Sequence, residues 1–158
     1  MSTQIPLSND DRADEKRDGL HIVTPDIAYK RLFLVNVIFI GPANAGAGNW
    51  VLVDTGVKGA VGNMRHAIEE RFGMHAPPAA IIQTHGHFDH VGGLEELARE
   101  WKVPVYAHPL EIPYLDGTSA YPPPDPSVGG GMMSLLSPLY PRGPVNVSEQ
   151  LRALPEHG

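Results

Sequence analysis

The chain contains no cysteine in its 158 residues, which excludes disulfides and thiolate metal sites and leaves the redox compartment unassigned. Long hydrophobic runs are also missing. The most extended one, Leu32-Phe33-Leu34-Val35-Asn36-Val37-Ile38-Phe39-Ile40, is far short of the roughly 20 apolar residues a membrane-spanning helix needs. Cationic side chains are few: 12 Lys and Arg stand against 18 Asp and Glu, for a formal charge of −6. That balance argues against the phosphate backbone of a nucleic acid and against an anionic membrane surface as partners. No Gly-x-Ser-x-Gly elbow occurs either, so with neither Cys nor that turn no residue reads as a covalent nucleophile.

What remains is the make-up of a soluble globular domain, with 42% hydrophobic and 19% charged residues. Met1 to Asp18 is polar, charged and aperiodic, and is expected to form a loose arm. It lacks the apolar core of a secretory signal, so a cytoplasmic location is the expectation. Gly19 to Ile40 supplies two β-rich stretches, of which Tyr29 to Ile40 reads as one central strand covered on both faces. A turn over Gly41 to Gly48 then leads to a returning strand, Asn49 to Asp54.

Helical spacing takes over from Ala60 to Phe72, where Val61, Met64, Ile68 and Phe72 form an apolar stripe closed by Gly73. His66 lies off that stripe and reads as a solvated residue, as does His75 before Pro77-Pro78. Leu94 to Trp101 is a second amphipathic helix, and Val103 to Ala107 a further strand that Pro104 keeps short or near an edge. From Tyr114 onward Pro and Gly dominate, as in Tyr121-Pro122-Pro123-Pro124-Asp125-Pro126 and Gly129-Gly130-Gly131. Neither run can continue a helix or a central strand, so residues 116–158 are expected to form a lid or connecting segment. Its Met132, Met133, Leu135 and Leu136 either line an apolar cleft or simply cover the core.

The chemistry is concentrated in Thr84-His85-Gly86-His87-Phe88-Asp89-His90-Val91-Gly92-Gly93, directly after the apolar run Ala79-Ala80-Ile81-Ile82-Gln83. Neutral imidazole and carboxylate suit zinc, manganese or iron, and crowding them costs solvation and repulsion unless a cation shares the site. His85 and His87 fall on one side of an extended backbone and can chelate one ion. Asp89 and His90 follow where the chain turns toward a helix, and can reach a second. The bland alternatives are a surface accident or a tag, but a tag lies at a terminus and lacks the interleaved Asp.

His85-Gly86-His87-Phe88-Asp89-His90-Val91-Gly92-Gly93 resembles the signature loop of the metallo-β-lactamase-fold hydrolases, and Asn49-Trp50-Val51-Leu52-Val53-Asp54-Thr55-Gly56 resembles that family's strand ending in Asp-Thr-Gly. The likeness covers roughly residues 20 to 115, so residues 19–115 are expected to form one half-domain. It implies an α/β fold: the N-terminal half of an αββα sandwich, with a mixed sheet and helices on one face. It also implies one or two divalent metals, zinc first, with iron or manganese compatible. His85, His87, Asp89 and His90 would be ligands, Asp89 would also orient the attacking hydroxide, and Asp54 would brace the ligand loop from behind.

The activity implied is hydrolysis of a small-molecule ester, thioester, lactone or phosphoester by a metal-bound hydroxide. Family members complete the site from a second half of the fold, with a further His, a bridging Asp and a last His. After His90 this chain has only His108 and His157, neither in the family's setting, and it stops about where that second half is expected. The alternative is a non-catalytic metal-binding half-domain that self-associates or needs a partner. Half of a sandwich exposes a sheet edge and an apolar face, so a homo-oligomer is expected.

Overall fold

A computed structural model describes residues 19–33, 35–121 and 144–155. The expected arm at 1–18, most of the expected lid and His157 lie outside these. The frame is a seven-stranded mixed sheet whose spatial order follows the chain: β1 (Leu20–Thr24), β2 (Ile27–Leu32), β3 (Val35–Ile40), β4 (Val51–Val53), β5 (Ala80–Gln83), β6 (Val105–Ala107) and β7 (Leu151–Ala153). The first four pair antiparallel, and β4 to β7 run parallel. Parallel neighbours need long crossovers. Helix α1 (Val61–Phe72) bridges β4 to β5, and α2 (Leu94–Trp101) bridges β5 to β6. A 3₁₀ turn (Pro109–Glu111) and a short helix α3 (Ile112–Leu115) follow β6.

Two elements differ from the sequence reading. Gly19 to Ile40 makes three strands, and Tyr29 to Ile40 is divided between β2 and β3 rather than forming one central strand. Leu32 pairs with Val35 in a tight reversal where Phe33 takes a left-handed φ of 59°. Neither Phe33 nor its neighbours carry the Gly, Asn or Asp that mark such turns, so hydrophobic continuity hides the break. The second is β7, which pairs with β6 through Val105↔Leu151 to Ala107↔Ala153. Nothing in the composition around it announces a strand.

Period-two alternation sorts each strand into two faces. Ala28, Phe39, Leu52, Ile81, Val105 and Leu151 lie in register across the sheet and are buried in one cluster with Met64, Ile68, Phe72, Leu94 and Leu97 of the helices. Both longer helices thus cover the same face, as the sequence stripes require. Aromatic packing anchors this core: Trp50 stacks on Phe72 with ring centroids 4.2 Å apart, and its indole Nε1 donates to the Ala76 carbonyl at 3.0 Å. The buried Arg71 guanidinium donates to the carbonyls of Pro25 and Gly41, fixing two loops to the end of α1.

The opposite face carries a second apolar row, Tyr29, Ile38, Val53, Ile82 and Tyr106, beside Ile27, Ile40 and Val51. All are half-buried or exposed, and none belongs to the core cluster beneath the helices. Among the described residues no helix is long and apolar enough to cross a membrane.

Candidate metal centre

Strand β4 ends in Asp54-Thr55-Gly56 and β5 in Gln83-Thr84-His85, and their parallel pairing sets these ends side by side. The β4 turn is sharp: Asp54 has φ 61° and Gly56 φ 67°. Asp is among the few residues that enter this region at modest cost, and Gly at none. A Cβ on Gly56 would also press on the side chain of Leu32. The turn buries the Asp54 carboxylate beneath the His loop, with 6% of its side chain exposed.

Both carboxylate oxygens are fully used. Oδ1 accepts from Thr84 N at 2.8 Å and Gln83 Nε2 at 2.9 Å. Oδ2 accepts from Thr84 Oγ1 at 2.7 Å and lies 2.7 Å from His90 Nδ1. With an anion in front of it, His90 Nδ1 carries a proton, so in the neutral ring the lone pair is on Nε2. Because the Thr84 hydroxyl donates to Asp54, its oxygen is free to accept from His85 Nδ1, 3.0 Å away. His85 Nε2 is thereby left as an acceptor too. One buried carboxylate sets the tautomers of two imidazoles, one directly and one through a hydroxyl, an arrangement common behind metal-ligating histidines.

The rings converge. His85 Nε2 lies 3.0 Å from His87 Nδ1, so the two imidazoles expected to share one ion face each other. His90 Nε2 and Asp89 Oδ2, the pair expected at a second position, are 3.8 Å apart. Burial, reinforced by the neighbouring His90 and His87, lowers the pKa of His85 and keeps it neutral. Burial also works against a charge on His90, but the hydrogen bond and charge of Asp54, with Asp89 adding, outweigh it and raise its pKa. Among the described residues no group of three or more His, Asp or Glu side chains is gathered into a ready cage. The donor set is of the right chemistry, two neutral-capable nitrogens meeting in one place and a carboxylate beside a third, and it is a partial set.

The rest of the loop is held from three sides. His90 O accepts from Thr55 N and from Thr55 Oγ1, each at 2.8 Å, and Gly92 N donates to Gly56 O at 2.7 Å. Gly92 packs directly on the β4 turn, where a Cβ would overlap the backbone of Val57 and Lys58. Glu111, beyond β6, accepts from Gly86 N at 2.9 Å through Oε2. The ring of Tyr121 lies 4.2 Å from that of His87 and 4.6 Å from Tyr114. His108 is exposed and caps the 3₁₀ turn, its Nδ1 accepting from Leu110 N at 3.2 Å, and His66 and His75 are exposed as well.

Sequence reasoning did not find Gln83, Glu111 or the hydroxyl of Thr84. Gln83 left a signal, since it shares the buried parity of Ile81 while being polar. Glu111 left none, lying 25 positions from the backbone amide it holds.

A buried Asp at a β4 turn thus braces a His-x-His-x-Asp-His loop at the end of β5, within this mixed sheet. The sequence matches the family described as "Metallo-beta-lactamase superfamily" over residues 31–156, and the chain belongs to that family, whose members bind divalent metals. It is 40% identical over 144 residues to the probable metallo-hydrolase YflN of Bacillus subtilis, covering 91% of this chain and 52% of that protein. A second relative from the same organism, the probable metallo-hydrolase YybB, is 36% identical over 62 residues, covering 39% of this chain and 28% of its own length.

Among solved structures, a subclass B3 metallo-β-lactamase with an active-site glutamic acid superposes with a TM-score of 0.65 at 21% identity, over 96% of this chain and 52% of that one. The subclass B3 enzyme MEM-A1 from a soil metagenome gives 0.61 at 22% identity, over 89% and 47%. These likenesses bear out the mixed α/β fold. The chain spans about half the length of YflN.

Proposed function

We propose that this chain carries the part of a metal-dependent hydrolase that holds one or two divalent ions, zinc first, and that the whole enzyme cleaves an ester, thioester, lactone or phosphoester of a small molecule. The observation that carries this reading is the buried Asp54 carboxylate, which holds His90 directly and His85 through Thr84, so that in each neutral ring Nε2 would be the atom offered to an ion. His85 and His87 would hold one ion, and Asp89 and His90 the other. Bound divalent metal of this kind polarises the scissile group and makes water nucleophilic near neutral pH. The chain's own residues do the rest. Asp54 and Thr84 fix ring orientation, Asp89 would orient the hydroxide by hydrogen bonding, and Glu111 pins Gly86 so the loop keeps its shape.

The test is zinc content per chain after gel filtration, with hydrolysis of p-nitrophenyl acetate and bis-p-nitrophenyl phosphate, by this chain and by His87→Ala. One to two ions, reduced in the variant, supports the site; no zinc in the unmodified chain refutes it.

The half-buried apolar sheet face opposite α1 and α2 favours a second reading, a non-catalytic metal-binding half-domain that pairs with a second copy. Ile38, Val53, Ile82 and Tyr106 form one uninterrupted apolar row, and patches of that kind mark association surfaces. Light scattering on the purified chain should give a mass above one chain, lowered by Val53→Lys, and a monomer at every concentration refutes this reading.

A further inference from the structure

Gln83 is the last residue of β5 and is 1% exposed, and its carboxamide nitrogen stands within reach of three oxygens. Nε2 lies 2.9 Å from Asp54 Oδ1, 3.1 Å from His85 O and 3.0 Å from His90 O. The other end of the same amide, Oε1, is buried and has no hydrogen-bond partner among the described residues. Reversing the amide would set an oxygen against three oxygens, so the environment dictates its direction. Ile81, two residues back on the same face, is fully buried and apolar. An apolar side chain at 83 would have avoided stranding an acceptor; what it could not supply is the pair of N–H donors.

Those donors join the first carbonyl of the ligand run to the last. Thr55 also holds His90 O, through two bonds. At His85 O, Gln83 is the side chain that makes the link, and it carries that link to the carboxylate that orients both imidazoles. We propose that Gln83 is a positioning residue for metal binding: its amide closes the His85–His90 loop and holds the two donor pairs in register before any ion arrives. This rests on the metal-site reading above and assigns to one further side chain the preorganisation that reading requires.

Zinc alone is the probe, titrated into the 158-residue chain in competition with a chromophoric chelator, with circular dichroism of the metal-free protein alongside. Gln83→Met keeps length without donors, and Gln83→Glu keeps shape but turns the donors into oxygens facing three oxygens. The expected result is a loss of zinc affinity of about tenfold or more for Gln83→Met, larger for Gln83→Glu, with the dichroism of the metal-free chain retained. A lowered melting temperature with zinc affinity within twofold of the unmodified chain would show a merely structural role and overturn the proposal.

Should both variants fail to fold, the unmodified chain still decides. The side-chain amide resonances of Gln83 should shift when zinc is added, and their indifference to zinc overturns the proposal. An unmodified chain that takes up no zinc overturns the metal reading itself, whereas normal uptake with unaltered variants overturns only the role of Gln83.

Discussion

Asp54→Asn is the sharpest single perturbation of the centre. The carboxylate accepts from Gln83, from the Thr84 amide and hydroxyl, and from His90, two bonds on each oxygen. Asparagine keeps one oxygen and places an NH₂ where two donors already point. Two bonds to a charged acceptor are lost, each worth roughly 1.5–3 kcal/mol, and relief from burying a charge offsets part of that. The metal-free chain should therefore lose about 2–4 kcal/mol, read as a lower urea midpoint at unchanged slope.

Zinc affinity should fall by about 10–100-fold, since the His90 tautomer is no longer imposed and the hydroxyl relay to His85 is broken. Thr84→Val isolates the relay: about 1–2 kcal/mol of stability, with the His90 bond intact. If Asp54→Asn costs less than about 0.5 kcal/mol and binds zinc as before, the carboxylate is not what orders the loop and the reasoning fails.

Gly92→Ala should cost at least ~2 kcal/mol, because the new methyl meets the rigid backbone of Val57 and Lys58, and a melting temperature within a degree of the unmodified chain would contradict this. Phe72→Ala removes the partner stacked on Trp50 and should destabilise by about 3–5 kcal/mol by denaturant titration; under 1 kcal/mol would mean the core collapses around the gap. Hydrogen bonds from Arg65 hold the Glu100 carboxyl below its ordinary value of 4.5. A group depressed on folding stabilises above that ordinary value and loses its contribution as pH falls through the lower folded value. Arg65→Met should therefore lower the urea midpoint slightly at pH 7, by no more than about 1 kcal/mol for so exposed a pair, and not at pH 2.5. An equal difference at both pH values would refute the linkage.

The stripes of α1 and α2 were legible because helical spacing repeats over two or more turns: Val61, Met64, Ile68 and Phe72 are all buried, as are Leu94, Leu97 and Ala98. The His-x-His-x-Asp-His run and Asp54 stand out in the sequence because their chemistry is unusual residue by residue, and the structure brings them together at the ends of β4 and β5. The β2–β3 reversal at Phe33 was not, since an apolar residue in a left-handed turn carries no local mark. Strand β7 was hidden for another reason: Leu151-Arg152-Ala153 is a strand by virtue of the free edge of β6, which no local pattern encodes. Gln83 and Glu111 act on the loop through contacts that depend on how strand ends align, and alignment is a property of the assembled sheet.

The strand order β1 to β7 has a consequence for how the molecule is made. Each strand, as it emerges during synthesis, finds its neighbour already present, so the sheet can grow from one edge without reopening a pairing. The antiparallel closures between β1 and β4 are short, which favours rapid assembly, whereas the parallel ones are long, β6 to β7 most of all. Asp54, however, is synthesised before each side chain that hydrogen-bonds its carboxylate: Thr84 lies 30 positions later and His90 lies 36. Until β5 docks, its carboxylate stays hydrated, and its burial is completed only when the ligand loop arrives. Formation of the centre and docking of β5, the first parallel pairing, are therefore one event, and damage to the loop is damage to the step on which β6 and β7 build.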